Sequence, residues 1–204
     1  MNKSKFKRGN AAEFLAQLEA DPAYREMRER KDALSRELGE RIRVSEVPLV
    51  QDLRAAGVKV SSVWDLVNTR ASYAAAIPVL LAHFERDYIP EVREGIARAL
   101  AVPEASWAWD RLLTWFRREP EGGPRNVKWA LACALGGAST EDVIDTIIRL
   151  VRDPSLGRNR MVLLRALLRS RNPHARETLE QLRDDPDLKK ELRFLLGRPK
   201  KKSE

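Results

Sequence analysis

The chain has 204 residues, a formal net charge of +8, 6% aromatic residues and one cysteine. No apolar run reaches the ~18 residues of a membrane span, the basic N-terminus lacks the apolar stretch of a secretory signal, and Cys133 has no partner for an internal disulfide, so a reducing, cytoplasmic setting is expected. Lys3, Lys5, Lys7 and Arg8 place +4 on residues 1–10, and Arg198, Lys200, Lys201 and Lys202 against Glu204 place +3 on residues 197–204, which leaves +1 of the +8 for residues 11–196. Two solvated basic tails around a nearly neutral body are expected, with nonspecific attraction for nucleic acid or acidic surfaces at the ends.

Along the chain, Asn10 and Glu13 have capping-box spacing ahead of a short helix through Phe14, Leu15 and Leu18. Asp21-Pro22 opens a longer helix. Between Tyr24 and Arg43 charge dominates, and Met27, Leu34, Leu38 and Ile42 form a thin apolar stripe. Glu26–Arg30, Asp32–Arg36 and Glu37–Arg41 have the i,i+4 spacing that supports a solvent-exposed helix. Ser45 is placed to cap a separate helix to about Ala56, with Pro48 in its first turn and Gly57 at its exit. Ser61 or Ser62 caps a brief helix through Val63-Trp64-Asp65-Leu66-Val67.

After Thr69 helices follow one another closely. They are expected over 72–86, from Pro90 to about Ala101, over 104–118, to Gly136-Gly137 after the turn Glu121-Gly122-Gly123-Pro124, from a capping box Ser139/Asp142, over 158–170, after Asn172-Pro173, and from Asp185-Pro186 to about Leu196. No segment sustains strand-type alternation.

One phrase recurs in this stretch. Glu91 to Leu100, Asn126 to Leu135 and Asn159 to Leu167 align on their Ala-Leu pairs, at a spacing of about 30–40 residues that marks stacked helical hairpins. The alignment puts Arg93, Lys128 and Arg160 in one column, with Lys189 from a fainter fourth copy, and Ile96, Leu131, Leu163 and Leu192 in a core column. An acidic residue and often a proline precede each basic position: Asp87 with Pro90, Glu121 with Pro124, Asp153-Pro154, Asp185-Pro186.

This pattern resembles the HEAT repeat family over residues 72–196. The resemblance implies an all-α fold, an α-α superhelix or HEAT-like solenoid over 71–196, preceded by an N-terminal helical cap over 11–70 and flanked by basic tails at 1–10 and 197–204. In that family the acidic residue and the arginine tend to link neighbouring repeats, so Asp87, Arg93, Lys128, Asp153 and Arg160 are expected to have structural roles. Val63 to Thr69 followed by such an array is also similar to bacterial HEAT-repeat proteins, a likeness that carries no activity.

Catalytic chemistry has little support. His83 and His174 lack ligand spacing, so no metal and no cofactor is expected. Gly122-Gly123 reads as a turn rather than a phosphate loop, and Cys133 as a packing residue. Trp129 stands out, because it falls in the column of Glu94 and Met161, facing away from the core stripe, and one turn on the same face carries Arg98, Cys133 and Arg165. An aromatic flanked by arginines on the inner helices is an expected binding surface, and Trp129, Arg98, Met161 and Arg165 are the candidate partner-binding residues. The alternative is that the N-terminal segment covers Trp129.

The expected function is that of a noncatalytic scaffold or adaptor with a protein partner. Nucleic acid is the alternative, through the tails or through Arg158, Arg160, Arg165, Arg169 and Arg171, which are equally placed to pair with Asp142, Asp145 and Asp153. The alkylpurine DNA glycosylases are also built from HEAT-like repeats and use tryptophans, an acidic residue and an arginine. Trp64-Asp65, Trp109-Asp110, Trp129 and Arg165 supply those residue types here, without an aligned motif.

Overall fold

A computed structural model describes residues 18–123 and 126–197. The basic tails, the Asn10/Glu13 capping box with Phe14 and Leu15, and Pro124 lie outside the described residues. Every regular element among the described residues is helical. No helix among them is long and apolar enough to cross a membrane.

The chain divides into two compact units, Met1–Val44 and Ser45–Glu204. The described part of the first is helical, and its main element is the leading part of α1 (Pro22–Ala55). Its charged surface is held by Arg28 with Glu19 and by Arg43 with Glu40, in place of the three i,i+4 pairs expected from spacing. Met27 and Leu34 are each 59% exposed. The expected separate helix at Ser45 does not form, because α1 continues through Ser45 and Pro48 without a break. A proline inside a helix removes one donor and crowds the preceding turn. Here Pro48 and the residue four positions back, Val44, are both exposed, so the helix carries its proline on a solvent-facing side.

The second unit opens with the end of α1, whose Leu49, Val50 and Leu53 are buried, and the single turn α2 (Trp64–Val67). Four pairs of segments follow. They are α3 (Ala76–Phe84) with α4 (Pro90–Ala99), a 3-10 turn Pro103–Ala108 running into α5 (Trp109–Arg118) with α6 (Val127–Gly137), a 3-10 turn Glu141–Val143 running into α7 (Ile144–Arg152) with a long 3-10 segment Pro154–Leu163 and α8 (Leu164–Arg169), and α9 (Pro173–Gln181) with α10 (Lys189–Leu196). Within each of the first three pairs the partners pack on each other, and the second members also pack in a row: α2 against α4, α4 against α6, α6 against the segment 154–169. Ile96, Leu131, Leu163 and Leu192 are all fully buried, as the aligned core column requires. Each such side chain contributes about 1.5–3 kcal/mol before entropy is subtracted.

Local chemistry accounts for the boundaries. Pro90, Pro103, Pro154 and Pro173 each occupy a first-turn position, where the missing N–H costs no helical hydrogen bond. Asn172 accepts from the His174 N–H, and Asp153 from the Ser155 N–H, as side-chain caps. Ser139, expected to cap α7, instead donates to the Gly136 carbonyl, and Thr140 begins the 3-10 turn. At Gly137 a Cβ would lie 2.3 Å from the Ala101 carbonyl oxygen, so glycine permits the close approach of α6 to the chain leaving α4.

Residues 158–170, expected to be helical, are a 3-10 segment as far as Leu163 and the α-helix α8 from Leu164, and the 3-10 segment breaks at Gly157 (φ 49°, ψ −131°). Arg160 explains what holds it. Its side chain is 1% exposed and donates to the Gly157 carbonyl at 2.9 Å, to the Asp185 carboxylate at 2.8 Å and to Asp187 at 3.0 Å.

The expected acid–base links also take other partners. Arg93 pairs with Glu119 at 2.8 Å rather than with Asp87. Lys128 donates to the Glu119 carbonyl, pairs with Glu121 and lies over the Phe116 ring. Asp153 caps its own turn, and Arg160 reaches forward to Asp185 and Asp187. Lys189 is exposed. The basic column therefore does tie elements together, mostly to acids that follow it in the chain.

Candidate functional site: the Trp129 cleft

Trp129 enters from the first turn of α6. The helix buries Ala130, Leu131, Ala134 and Leu135 on its packed sides, which turns Trp129 and Cys133, four residues apart, to the opposite side, where both are half-buried. Two hollows open there and share Trp129 as a wall. The first, of about 410 Å³, is lined by Trp129, Cys133, Gly136, Met161, Val162 and Arg165, with Arg169 and Glu191 on its rim. The second, of about 550 Å³, lies between Arg98, Asn126, Trp129 and the turn from Ser155 to Asn159. All four residues singled out from the repeat alignment thus line this cleft, Met161 and Arg165 on one side of Trp129 and Arg98 on the other.

The charges are unevenly satisfied. Glu94 is buried and accepts from Arg98 at 2.9 Å, which holds that guanidinium beside α6. Glu121 pairs with Lys128 and accepts from Asn159. Arg165 is 65% exposed and meets Glu191 only at 4.0 Å. Arg169 donates to the Gly136 carbonyl, and Arg158, exposed, meets no carboxylate among the described residues. The acids expected opposite this basic region are engaged elsewhere, Asp145 with Asn172 and Asp142 with Thr140, while Arg171 offers its backbone N–H to Glu141. Burial pushes the Cys133 thiol up, against a smaller downward pull from Arg98, so it is poorly set for nucleophilic work at neutral pH.

The residue types shared with the glycosylases do not gather at this cleft. Trp109 is buried and donates from its indole to the Leu135 carbonyl, and Asp65 accepts from the Ser61 and Ser62 N–H groups beside α2. Neither Trp-Asp pair lines the hollows that hold Trp129 and Arg165.

His83, read from sequence as an ordinary helical residue, is 1% exposed and held between the Tyr88 hydroxyl at 2.7 Å and the Asp52 carboxylate at 2.8 Å, tying α1 to α3. Nothing in the sequence links Asp52 to His83, 31 positions apart. No group of three or more His, Cys, Asp or Glu among the described residues is placed to hold a metal ion. Sequence reasoning missed Val162 and Gly136 as cleft residues, and grouped Arg169 with Arg158 and Arg165 for nucleic acid rather than with Trp129. The glycine pair after an Ala-rich helix was the available signal, since it marks where neighbouring backbone comes close. Searches of the chain against protein-family models, curated proteins and solved structures find no match.

Proposed function

We propose that the chain is a noncatalytic HEAT-like α-solenoid, a scaffold or adaptor that binds a protein partner through the row of second helices, with Trp129, Arg98, Met161 and Arg165 as contact residues. One observation carries this most: four residues drawn from three different repeats by alignment line two hollows that share Trp129. A half-buried tryptophan flanked by guanidiniums has the composition of a binding hot spot. The succession of paired segments, with the second members of the first three packed in a row, supports the solenoid reading. Val63 and Trp64 press on α4 at Gly95, where a Cβ would lie 2.6 Å from Val63, and this supports residues 45–67 as the cover of the first repeat. A reducing compartment such as the cytoplasm suits the unpaired Cys133.

The test is capture of partners from a whole-cell extract with the full chain and with the double variant Trp129→Ala/Arg165→Glu. A partner held by the wild type and lost by the variant, at an unchanged helical melt, is the expected result. Partners held equally by both sink the assignment of this face.

Arg158, Arg165 and Arg169 give nucleic-acid binding a second claim. A gel shift with duplex DNA at two salt concentrations, with and without residues 1–10 and 198–204, separates the two. Binding that disappears with the tails reflects only nonspecific charge.

A further inference from the structure

From the charges around Trp129 we infer the chemistry of the partner: an acidic segment carrying one aliphatic or aromatic side chain, which enters the Cys133–Met161 hollow while its carboxylates meet Arg158, Arg165 and Arg169. This rests on the proposed partner-binding role of the cleft and goes beyond it in naming what is bound.

The cleft's carboxylates have commitments already. Glu94 is bonded to Arg98, and Glu121 to Lys128 and Asn159. Arg158 is left without a carboxylate among the described residues, Arg169 has only a backbone carbonyl, and Arg165 holds Glu191 at the limit of an ion pair. Three under-satisfied guanidiniums lining two hollows that share Trp129 attract carboxylates in bidentate geometry. The hollow beside Arg165 and Arg169 is otherwise lined mainly by Trp129, Met161, Val162, Cys133 and two glycines, and its volume of about 410 Å³ admits a large side chain. A phosphodiester backbone meets the same cations but brings no aliphatic side chain to the hollow between Trp129 and Met161.

Cys133 supplies a reporter, since it is the chain's one cysteine and lines the hollow itself. The experiment uses the full chain and three synthetic labelled peptides: an acidic one with a central leucine, the same with glycine for the leucine, and the same with lysines for the acids. Binding is followed by fluorescence polarisation, and occupancy of the hollow by the rate at which a thiol reagent modifies Cys133. The acidic leucine peptide is expected to bind and to slow modification, with both effects weakened about 30-fold or more by Trp129→Ala. Arg158→Glu/Arg165→Glu is expected to lose the acidic peptide and gain the lysine peptide, which a merely unfolded variant would not do. Equal binding of all three peptides, no binding of the acidic one, an unchanged Cys133 rate on binding, or stronger protection of Cys133 by a duplex oligonucleotide would each overturn the inference. If the extract partner is lost with Trp129→Ala/Arg165→Glu but retained by Arg158→Glu, the partner-binding face stands and the acidic-segment inference falls.

Discussion

Helix α6 and the segment 154–169 carry two copies of one phrase, and each packs on the copy before it. Helix α6 is a regular α-helix of 11 residues whose basic residue, Lys128, stays partly exposed above Phe116. In the later copy the chain tightens to 3-10 geometry, breaks at Gly157, and turns its basic residue wholly inward. Both nevertheless bury the same column, Leu131 and Leu163, completely. The aliphatic seam is thus common to the copies, while the basic position is free to become a surface bridge or a buried clamp according to the acids nearby. A lysine ammonium suits the first role. The second requires the five-donor fork of arginine, because a buried cation is tolerated only when its donors are met.

That contrast can be broken by substitution. Arg160→Ala leaves Asp185 and Asp187 facing an emptied site and should destabilise by about 3–5 kcal/mol, whereas Lys128→Ala should cost about 1 kcal/mol or less. Urea melts of the two variants measure the gap, and equal losses would erase the distinction. Leu131→Ala and Leu163→Ala should each cost about 2–5 kcal/mol despite their different backbone geometry. A loss below about 1 kcal/mol at either position contradicts the aligned seam.

The glycines sharpen the contrast further. Gly137→Ala drives a methyl into the Ala101 backbone and should cost about 1–3 kcal/mol through overpacking. Gly157→Ala meets open space, and its expected cost of about 1–3 kcal/mol comes from a backbone conformation that L-residues avoid. Gly157→Asn should recover little of that loss, because ψ −131° lies outside the left-handed helical region in which asparagine is tolerated.

The smallest effect is in pH. Burial pushes the Asp185 carboxyl up, but hydrogen bonds from Arg160 and from the Asp187 and Leu188 N–H groups outweigh it and hold the carboxyl below the usual aspartate range. A carboxyl lowered in the folded state contributes stability above its unfolded pKa and loses it as pH falls through the folded one, so the Arg160 clamp weakens below about pH 4. Glu46 runs the other way. Burial, the largest effect, pushes its carboxyl up against the hydrogen bonds from Val63 and Ser62, and Oε1 has no partner. Its stabilising influence is complete in acid and fades as pH rises above the ordinary glutamate range. Glu46→Gln should therefore shift stability at pH 7 by about 1 kcal/mol or less and flatten the curve between pH 4 and 7, as melts across that range will show.

Much of the site was legible because a repeat aligns equivalent faces. Trp129 stood out by falling in the column of Glu94 and Met161 on the side away from Leu131, and helical periodicity alone puts Arg98 and Arg165 one turn further on. Glu191 was not legible, because it arrives from a neighbouring element, and Arg169 was grouped with Arg158 and Arg165 without a link to Trp129. The fate of residues 45–56 shows a similar limit. Ser45 and Pro48 carry the local signature of a helix start, yet α1 passes through unbroken with Pro48 exposed.

Local sequence therefore determined that the chain is helical, where most turns fall, and which aliphatic residues form the seam, since these follow from propensity, proline and glycine stereochemistry and the 3.6-residue period. Only tertiary packing decided that Arg160 is buried, that His83 bridges Asp52 and Tyr88, and which guanidiniums around Trp129 lack a carboxylate. The decisive pairs, Asp52 with His83 and Arg160 with Asp185, lie 31 and 25 positions apart, and their proximity is set by how the helices stack rather than by any one segment's preference.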